Sequence, residues 1–159
     1  MLSHRSRGVR GFTIAELITV CGIIVILSAI AMPVARFGFR RQKEIALRDS
    51  IRRITDAIDK WHDYKTAGRI KAQFSLTQAD YPKELDDLIK PIELLPDSKK
   101  VRLLRERDLI DPMTGKKEWT TLSSTDDPDT SSSNGDNVFE VHSKSTALSL
   151  DGKTHYNEW

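Results

Sequence analysis

The most apolar part of the chain is residues 12–35, which read FTIAELITVCGIIVILSAIAMPVA and contain one charged side chain, Glu16. About 20 apolar residues in a helix cross a hydrocarbon layer of roughly 30 Å. A helix fits this segment because an open strand would leave backbone groups without hydrogen bonds in lipid. A cleaved secretory signal has a shorter apolar region, of about 7–15 residues. The segment therefore predicts one membrane-spanning helix.

Length, charge and cysteine content exclude several classes of protein. The chain has 159 residues, enough for one ordinary domain. Its 25 basic and 23 acidic residues give a net charge of +2, without the concentrated basic excess of a nucleic-acid binder. Cys21 is the only cysteine in the sequence, so no intramolecular disulfide and no cysteine-based zinc site can form within it.

A short basic leader precedes the apolar segment. Residues 1–11, MLSHRSRGVRG, contain three arginines and no acid. Basic flanks favour the cytoplasmic side of a membrane, so the leader is expected inside. Residues 36–43 after the span also contain four basic side chains, and counting charges alone therefore does not fix the orientation.

The junction between leader and span carries a recognisable signature. Residues 10–17, RGFTIAEL, resemble the prepilin signature of type IV pilins and of the pseudopilins of type II secretion. The resemblance implies that a prepilin peptidase cuts between Gly11 and Phe12 and that Phe12 is then N-methylated. It also implies that Glu16 pairs with the amine of Phe12 on a neighbouring subunit during assembly.

The residue types at the junction also make chemical sense. Gly11 has no side chain, so its backbone can enter a protease cleft closely. Glu16 stands at the entrance of an apolar helix, where an unpaired carboxylate is costly and a paired one is tolerated. The alternative is that Glu16 simply stays at the level of the lipid headgroups.

Two positions in the span are expected to weaken the helix locally. Gly22 has a low helix propensity, and Pro33 has no amide hydrogen to donate to the carbonyl of Ala29. A kink at Pro33 is therefore predicted. Prolines also occur in membrane helices without a special role, so a function in flexibility during assembly stays one of two interpretations.

The helical pattern continues beyond the membrane segment. Apolar residues at Leu47, Ile51, Ile54, Ile58 and Trp61 are spaced to form one stripe on a helix that needs a globular partner. Gly68 is a plausible stop. The sequence thus predicts four parts: a cleaved cytoplasmic leader (1–11), a transmembrane and polymerisation helix (12–35), its amphipathic continuation (36–68) and a small periplasmic domain (69–159).

The C-terminal part is predicted to be a small α+β domain. A short helix is expected within residues 81–89, and strands are expected over Glu118–Leu122 and Asn137–His142, the second with Phe139 and Val141 on one face. Packing an antiparallel sheet against the apolar stripe of the long helix would bury the apolar side chains of both. This is a pilin-like layout.

The C-terminal sequence extends the resemblance. Residues 111–116, DPMTGK, followed by Trp119, resemble the Asp-Pro segment of the major pseudopilin, and the ending through Trp159 is similar as well. Major pseudopilins usually bind calcium in a C-terminal loop, and Asp151 matches one ligand. The usual second aspartate is absent, with Thr154 and Asn157 as weaker oxygen donors. A second oxygen-rich loop, residues 129–140, is interpreted as solvated.

These observations lead to a functional expectation. Motifs typical of hydrolases, metalloproteases and nucleotide-binding enzymes are absent from the sequence, so the protein is expected not to be an enzyme. The resemblance implies a major pseudopilin, a structural subunit of the type II secretion pseudopilus, held in the inner membrane with its C-terminal domain in the periplasm. Its expected partners are further copies of itself, minor pseudopilins, prepilin peptidase, and the inner-membrane platform with its assembly ATPase.

Two alternatives remain open. A type IV pilin for adhesion or motility has the same junction, although many such pilins carry a C-terminal disulfide that this sequence cannot form. A membrane-anchored periplasmic binding domain would need the apolar helix only as an anchor. The only cofactor in view is calcium at Asp151.

Overall fold

The structure combines one long helix with short strands. The computed structural model describes residues 11–70, 80–127, 130 and 133–159. In that part of the chain, α1 (Ile14–Thr66) is the α-helix, and short 3₁₀-helices cover Leu85–Leu88, Glu106–Leu109 and Tyr156–Glu158. The strands are β1 (Ile92–Leu94), β2 (Lys99–Val101), β3 (Trp119–Leu122) and β4 (Glu140–Ser143). The predicted α+β, pilin-like layout is confirmed.

The chain divides after Phe39 into two compact units. The first contains the apolar part of α1, whose described side chains are exposed. The second, Arg40–Trp159, contains the rest of α1, the strands and the buried core. The predicted boundaries after residues 11, 35 and 68 stay predictions.

The second part of α1 supplies one wall of the core. Leu47, Ile54, Ile58 and Trp61 are fully buried, and Ile51 is partly buried against them. Spacings of three and four residues place these side chains on one face, while the charged residues between them face solvent. The predicted apolar stripe is therefore present and covered.

Helix α1 ends in a Schellman motif. The N–H of Gly68 donates to the carbonyl of Lys65 at 2.9 Å, and the N–H of Arg69 donates to the carbonyl of Tyr64 at 2.8 Å. Gly68 has a φ of 66°, the left-handed conformation that glycine adopts without steric cost. The sequence prediction of a stop at Gly68 is correct.

The strands form two small sheets where a single sheet was expected. Strands β1 and β2 pair antiparallel with Ile92 opposite Val101, and β3 and β4 pair antiparallel with Trp119 opposite Ser143. Residues 102–118 separate the two pairs in sequence, and they form a 3₁₀-helix and a turn closed by Asp111. Residues 102–118 contain no strand, and no strand pair links the two sheets within the described part of the chain.

Apolar side chains from both sheets and from the connecting segments cover the helix stripe. The buried members are Ile70, Leu88, Ile92, Leu94, Leu104, Leu109, Trp119, Val138, Val141 and Tyr156. The indole N–H of Trp119 donates to the carbonyl of Leu109 at 2.7 Å, so its polar atom is satisfied inside the core.

The predicted alternation around β4 is wrong in part. Val141 is buried as a strand residue, but Phe139 is 44% exposed and Val138 is buried. The regular strand begins only at Glu140, so the two-residue period does not extend back to Phe139. Phe139 instead meets the ring of Tyr81 edge-on, with 5.1 Å between the ring centroids.

Asp111 closes the turn after the second 3₁₀-helix. Its fully buried carboxylate accepts hydrogen bonds from the N–H of Met113 and from the hydroxyl of Ser143, each at 2.7 Å. The N–H of Gly115 donates to the Asp111 carbonyl at 2.7 Å. A buried carboxylate is tolerated when its oxygens are hydrogen-bonded, so Asp111 ties this turn to β4.

Candidate processing and assembly site

The predicted cleavage junction lies outside regular structure. Gly11, Phe12 and Thr13 precede the first helical residue, and all three are exposed. The Phe12 side chain is 80% exposed. The leader residues before Gly11 lie outside the described part of the chain. Exposed backbone outside a helix is what a protease needs, so Gly11 and Phe12 are compatible with the predicted cut between them, which stays a prediction.

Thr13 caps the long helix. Its side-chain oxygen accepts a hydrogen bond from the N–H of Glu16 at 3.2 Å, and its carbonyl accepts the N–H of Leu17 at 3.1 Å. This is the N-cap arrangement, which satisfies one of the amide groups left free at a helix start. Reasoning from the sequence missed this cap, although Thr-x-x-Glu over residues 13–16 is its recognised signal.

Glu16 occupies the third position of the first helical turn. A carboxylate there is favoured by the partial positive charge of the helix N-terminus. Its side chain is exposed, and among the described residues none donates a hydrogen bond or forms an ion pair with its carboxylate. The described part of the chain therefore leaves the carboxylate of Glu16 exposed, and its pairing with a neighbouring subunit stays a prediction.

The apolar part of α1 has the properties expected of a membrane span. Among the described residues it is the one helix that is long and apolar enough to cross a membrane, and none of its most apolar window is buried. Exposure on this scale distinguishes it from the core helix of a globular protein. The structure thus supports one helix that could anchor the chain in a membrane, and the location of the second unit stays a prediction.

The two predicted weak points lie within this helix. Nothing approaches within 4 Å of a Cβ placed on Gly22, so no contact in the described chain requires a glycine there. Pro33 lies inside helix α1, which is helical on both sides of it. Their roles in flexibility stay predictions.

The predicted calcium residue, Asp151, is occupied by hydrogen bonds from its own loop. Its carboxylate accepts from the hydroxyls of Ser149 and Thr154, and from the backbone N–H groups of Lys153 at 2.8 Å and Thr154 at 3.2 Å. These donors, above all the Ser149 hydroxyl, hold the pKa of Asp151 well below its usual range.

This donor set does not fit calcium. Calcium takes six to eight oxygen ligands, usually with several carboxylates among them. The described residues contain no group of three or more acidic, histidine or cysteine side chains that could hold a metal, and Asp151 faces proton donors on both oxygens. The side chain of Thr154, predicted as a weak ligand, donates to Asp151 instead, and no contact of the Asn157 side chain is seen in the described part.

Glu44 joins the C-terminal loop to the helix, and reasoning from the sequence missed it. Its Oε1 accepts hydrogen bonds from the N–H of Leu150 at 2.7 Å and from the hydroxyl of Tyr156 at 2.9 Å. Burial, and then the Glu44 carboxylate, raise the pKa of the Tyr156 hydroxyl. The sequence did contain a signal, because Glu44 stands three residues before Leu47 and so shares the face of the apolar stripe.

Further contacts fix the end of the chain on the same helix. The guanidinium of Arg48 lies over the ring of Trp159 at 4.3 Å, and the Trp159 indole donates to Thr154 at 3.2 Å. Arg40 donates to the carbonyl of Leu148 at 3.2 Å. The basic residues near the helix midpoint therefore include two that stabilise the C-terminal loop.

Comparisons with protein-family models, with curated proteins and with solved structures find no match to this chain. Its function is therefore inferred from its own residues.

Proposed function

We propose that the protein is a structural subunit of the type II secretion pseudopilus, of the major pseudopilin kind. The observation that carries the proposal is the order of features at the N-terminus. A basic leader ends in Gly11, Phe12 follows, and Glu16 stands alone in the apolar segment of residues 12–35. Each feature by itself is common, and their coincidence at these spacings is typical of prepilins.

The geometry of the junction supports processing. Gly11 and Phe12 are exposed and precede the capped helix, so the bond between them can be presented to prepilin peptidase without unwinding a turn. After the cut, the cap by Thr13 still starts the helix, because Thr13 lies on the retained side. The new terminal amine of Phe12, then methylated, is positively charged at neutral pH.

The chemistry of Glu16 supports assembly. A carboxylate inside a membrane costs several kcal/mol unless it is paired, with about 2.5–3.5 kcal/mol measured for acids near a helix centre. Glu16 finds no cationic partner among the described residues of its own chain. The amine of Phe12 on a neighbouring subunit provides one, and the pair sets the axial position of one subunit against the next.

Polymerisation then follows from the exposed apolar helix. In the proposed function, prepilin peptidase processes the chain in the inner membrane, and the platform protein with its assembly ATPase adds subunits to a periplasmic filament. Minor pseudopilins share that filament. Its growth drives folded cargo toward the outer membrane, and this chain contributes the wall of the filament without enzymatic chemistry.

Intact-mass analysis of the membrane-extracted protein tests the proposal. The expected chain begins at Phe12 and carries the added mass of one methyl group. The variant Gly11→Val should keep its leader, because a branched side chain blocks the close approach of the backbone to the peptidase. Gly8→Val, which adds the same side chain within the leader, is the matched control and should be cut normally. A wild-type chain that retains residues 1–11 in a host with an active peptidase would support a plain membrane anchor instead.

A type IV pilin has the same junction and needs a different test. Deletion of the gene separates the two functions, since loss of protein export indicates a pseudopilin and loss of surface fibres or motility indicates a pilin. The single cysteine favours the pseudopilin, because many type IV pilins close their C-terminal region with a disulfide.

A further inference from the structure

A charged groove lies between α1 and the segment that follows β2. Its volume is about 770 Å³, and its walls are residues of α1 from Arg53 to Lys60 on one side and residues 102–108 on the other. The whole groove belongs to the second unit of the chain. None of the residues discussed so far for processing or assembly contributes to it.

The groove carries a surplus of unpaired positive charge. Its lining includes five basic and three acidic side chains: Arg53, Lys60, Arg102, Arg105 and Arg107 against Asp56, Glu106 and Asp108. Two of the acids are already neutralised, since Arg53 contacts Asp108 at 3.0 Å and Lys117 contacts Glu106. Lys60, Arg102 and Arg105 are exposed, and in the described part of the chain no ion pair is seen for any of them.

Strand β3 connects this groove to a region of opposite charge. Trp119 begins β3, and its indole donates to Leu109 at the end of the 3₁₀-helix that borders the groove. The strand then runs for about 10 Å, at 3.3 Å per residue, to Leu122. The basic groove therefore lies at the starting end of β3.

The far end of β3 is acidic. The described residues between 123 and 140 include four acidic side chains, Asp126, Asp127, Asp136 and Glu140, and no basic one. Within this stretch, the carboxylate of Asp126 accepts the N–H of Ser123 at 2.7 Å, which holds it directly after the strand. Asp136 is exposed, and Glu140 is the register partner of Leu122 at the last position of β3. We refer to Asp126, Asp136 and Glu140 as the acidic end.

We propose that the groove binds the acidic end of a second copy of this chain. The two surfaces are complementary in charge and lie at opposite ends of β3. The groove of one copy therefore cannot contact the acidic end of the same copy. A contact between different patches on identical subunits is heterologous, and it propagates into an open helical filament when it does not close into a ring. Charge complementarity of this kind fixes register and selects the partner.

The proposal rests on the proposed function in one respect: the N-terminal helices bring the copies together. The groove then sets how neighbouring globular domains meet. Exposed ion pairs are individually weak, at about 0.2–1 kcal/mol each, so the contact gives the filament its register while the apolar helices supply most of its stability.

Site-directed cross-linking of the full-length protein tests the contact. Cys21→Ala removes the native thiol, and two differently tagged chains then carry Arg105→Cys and Asp136→Cys in the same membrane. A short thiol-reactive bismaleimide should join the two tags. Lys153→Cys in place of Asp136→Cys is the matched control, because Lys153 is also exposed but lies in the C-terminal loop. Cross-linking to position 136 that does not exceed cross-linking to position 153 would overturn the proposal.

Charge reversal provides the second measurement. Arg105→Glu and Asp136→Lys should each lower filament recovery by up to about fivefold, the upper end of what an exposed ion pair contributes. The double variant should restore recovery, and Lys144→Glu, an equal charge change at another exposed position, should have no effect. Single losses without rescue in the double variant contradict the pairing.

Two further readouts separate the alternatives. If Arg105→Glu lowers binding to vesicles of anionic phospholipid while filament recovery stays normal, the groove binds a lipid surface and the proposal is wrong. Intact mass of the same samples reports N-terminal processing. Chains that retain residues 1–11 indicate failure of the proposed function, whereas processed chains without the cross-link between positions 105 and 136 refute the groove contact alone.

Discussion

The carboxylate of Glu44 on helix α1 accepts a hydrogen bond of 2.9 Å from the hydroxyl of Tyr156, which lies 112 residues further along the chain. Tyr156 is fully buried, so its hydroxyl has no access to water and depends on this acceptor. The same Glu44 oxygen accepts the N–H of Leu150. One half-buried side chain of the helix therefore satisfies two donors of the C-terminal loop.

Removing this acceptor should destabilise the second unit. Glu44→Ala leaves the Tyr156 hydroxyl without an acceptor for its proton, and an unsatisfied buried donor costs about 1–3 kcal/mol. Glu44→Gln keeps an oxygen at the same position and should lose less. Thermal unfolding of the detergent-solubilised full chain measures both. Equal melting temperatures for Glu44→Ala and the wild type would show that the loop does not depend on this contact.

Acid should weaken the C-terminal loop through Asp151. Its pKa is held below the ordinary value of 3.8 by its hydrogen bonds in the folded state, so the unfolded chain takes up this proton more readily. The stabilisation is therefore complete above pH 3.8 and decreases as the pH falls below that value.

The variant Asp151→Asn isolates this contribution. Its amide cannot accept the same set of hydrogen bonds, and it does not titrate. Protection of loop amides in hydrogen exchange should be lower than in the wild type near neutral pH, and the difference should narrow as the pH falls below 3.8. A difference that stays constant with pH would mean that the charge of Asp151 does not stabilise the loop.

Calcium should leave the protein unchanged. A ligand that binds the folded state raises the melting temperature by mass action, whereas the Asp151 loop is closed by proton donors in place of a cation. We expect the same melting temperature in excess calcium and in excess chelator. Terbium luminescence, sensitised by the nearby Trp159, gives an independent measurement. A melting temperature that rises with calcium concentration would restore the expectation drawn from the family resemblance.

The sequence predicted the regular parts of the fold better than the irregular ones. The stripe from Leu47 to Trp61 and the stop at Gly68 follow from a helical period and from backbone chemistry, both of which are local. The two sheets are joined in sequence by the irregular residues 102–118, within which the carboxylate of Asp111 accepts a hydrogen bond from Ser143, 32 residues away on β4. Contacts of this kind are set by tertiary packing and leave no periodic trace.

The same distinction applies to the candidate site. Gly11, Phe12 and Glu16 were predicted from a signature of a few consecutive residues, and their roles stay predictions. Glu44 was missed because its role is defined by Leu150 and Tyr156, which are more than 100 residues away. The resemblance offered Asp151 as a possible calcium ligand, and the four hydrogen-bond donors around its carboxylate, which only the structure shows, argue against that role.

Replacing Glu16 by glutamine should separate processing from assembly. The amide keeps the size and helix propensity of the side chain, and the N–H of residue 16 can still donate to Thr13, so the junction at Gly11 and Phe12 should be cut normally. The amide carries no charge to neutralise the amine of Phe12 on a neighbouring copy, and filaments should not form.

A polar substitution control in the same helix makes this test specific. Thr19 donates its hydroxyl to the carbonyl of Ala15 at 2.8 Å, so Thr19→Val removes a polar group from the same part of the helix without changing charge. We expect Thr19→Val to assemble and Glu16→Gln to accumulate as processed subunits in the membrane, as judged by intact mass and by electron microscopy of sheared filaments. Filaments of normal length and number from Glu16→Gln would show that the Glu16 side chain only stays at the level of the lipid headgroups. The proposed pairing with Phe12 would then be wrong.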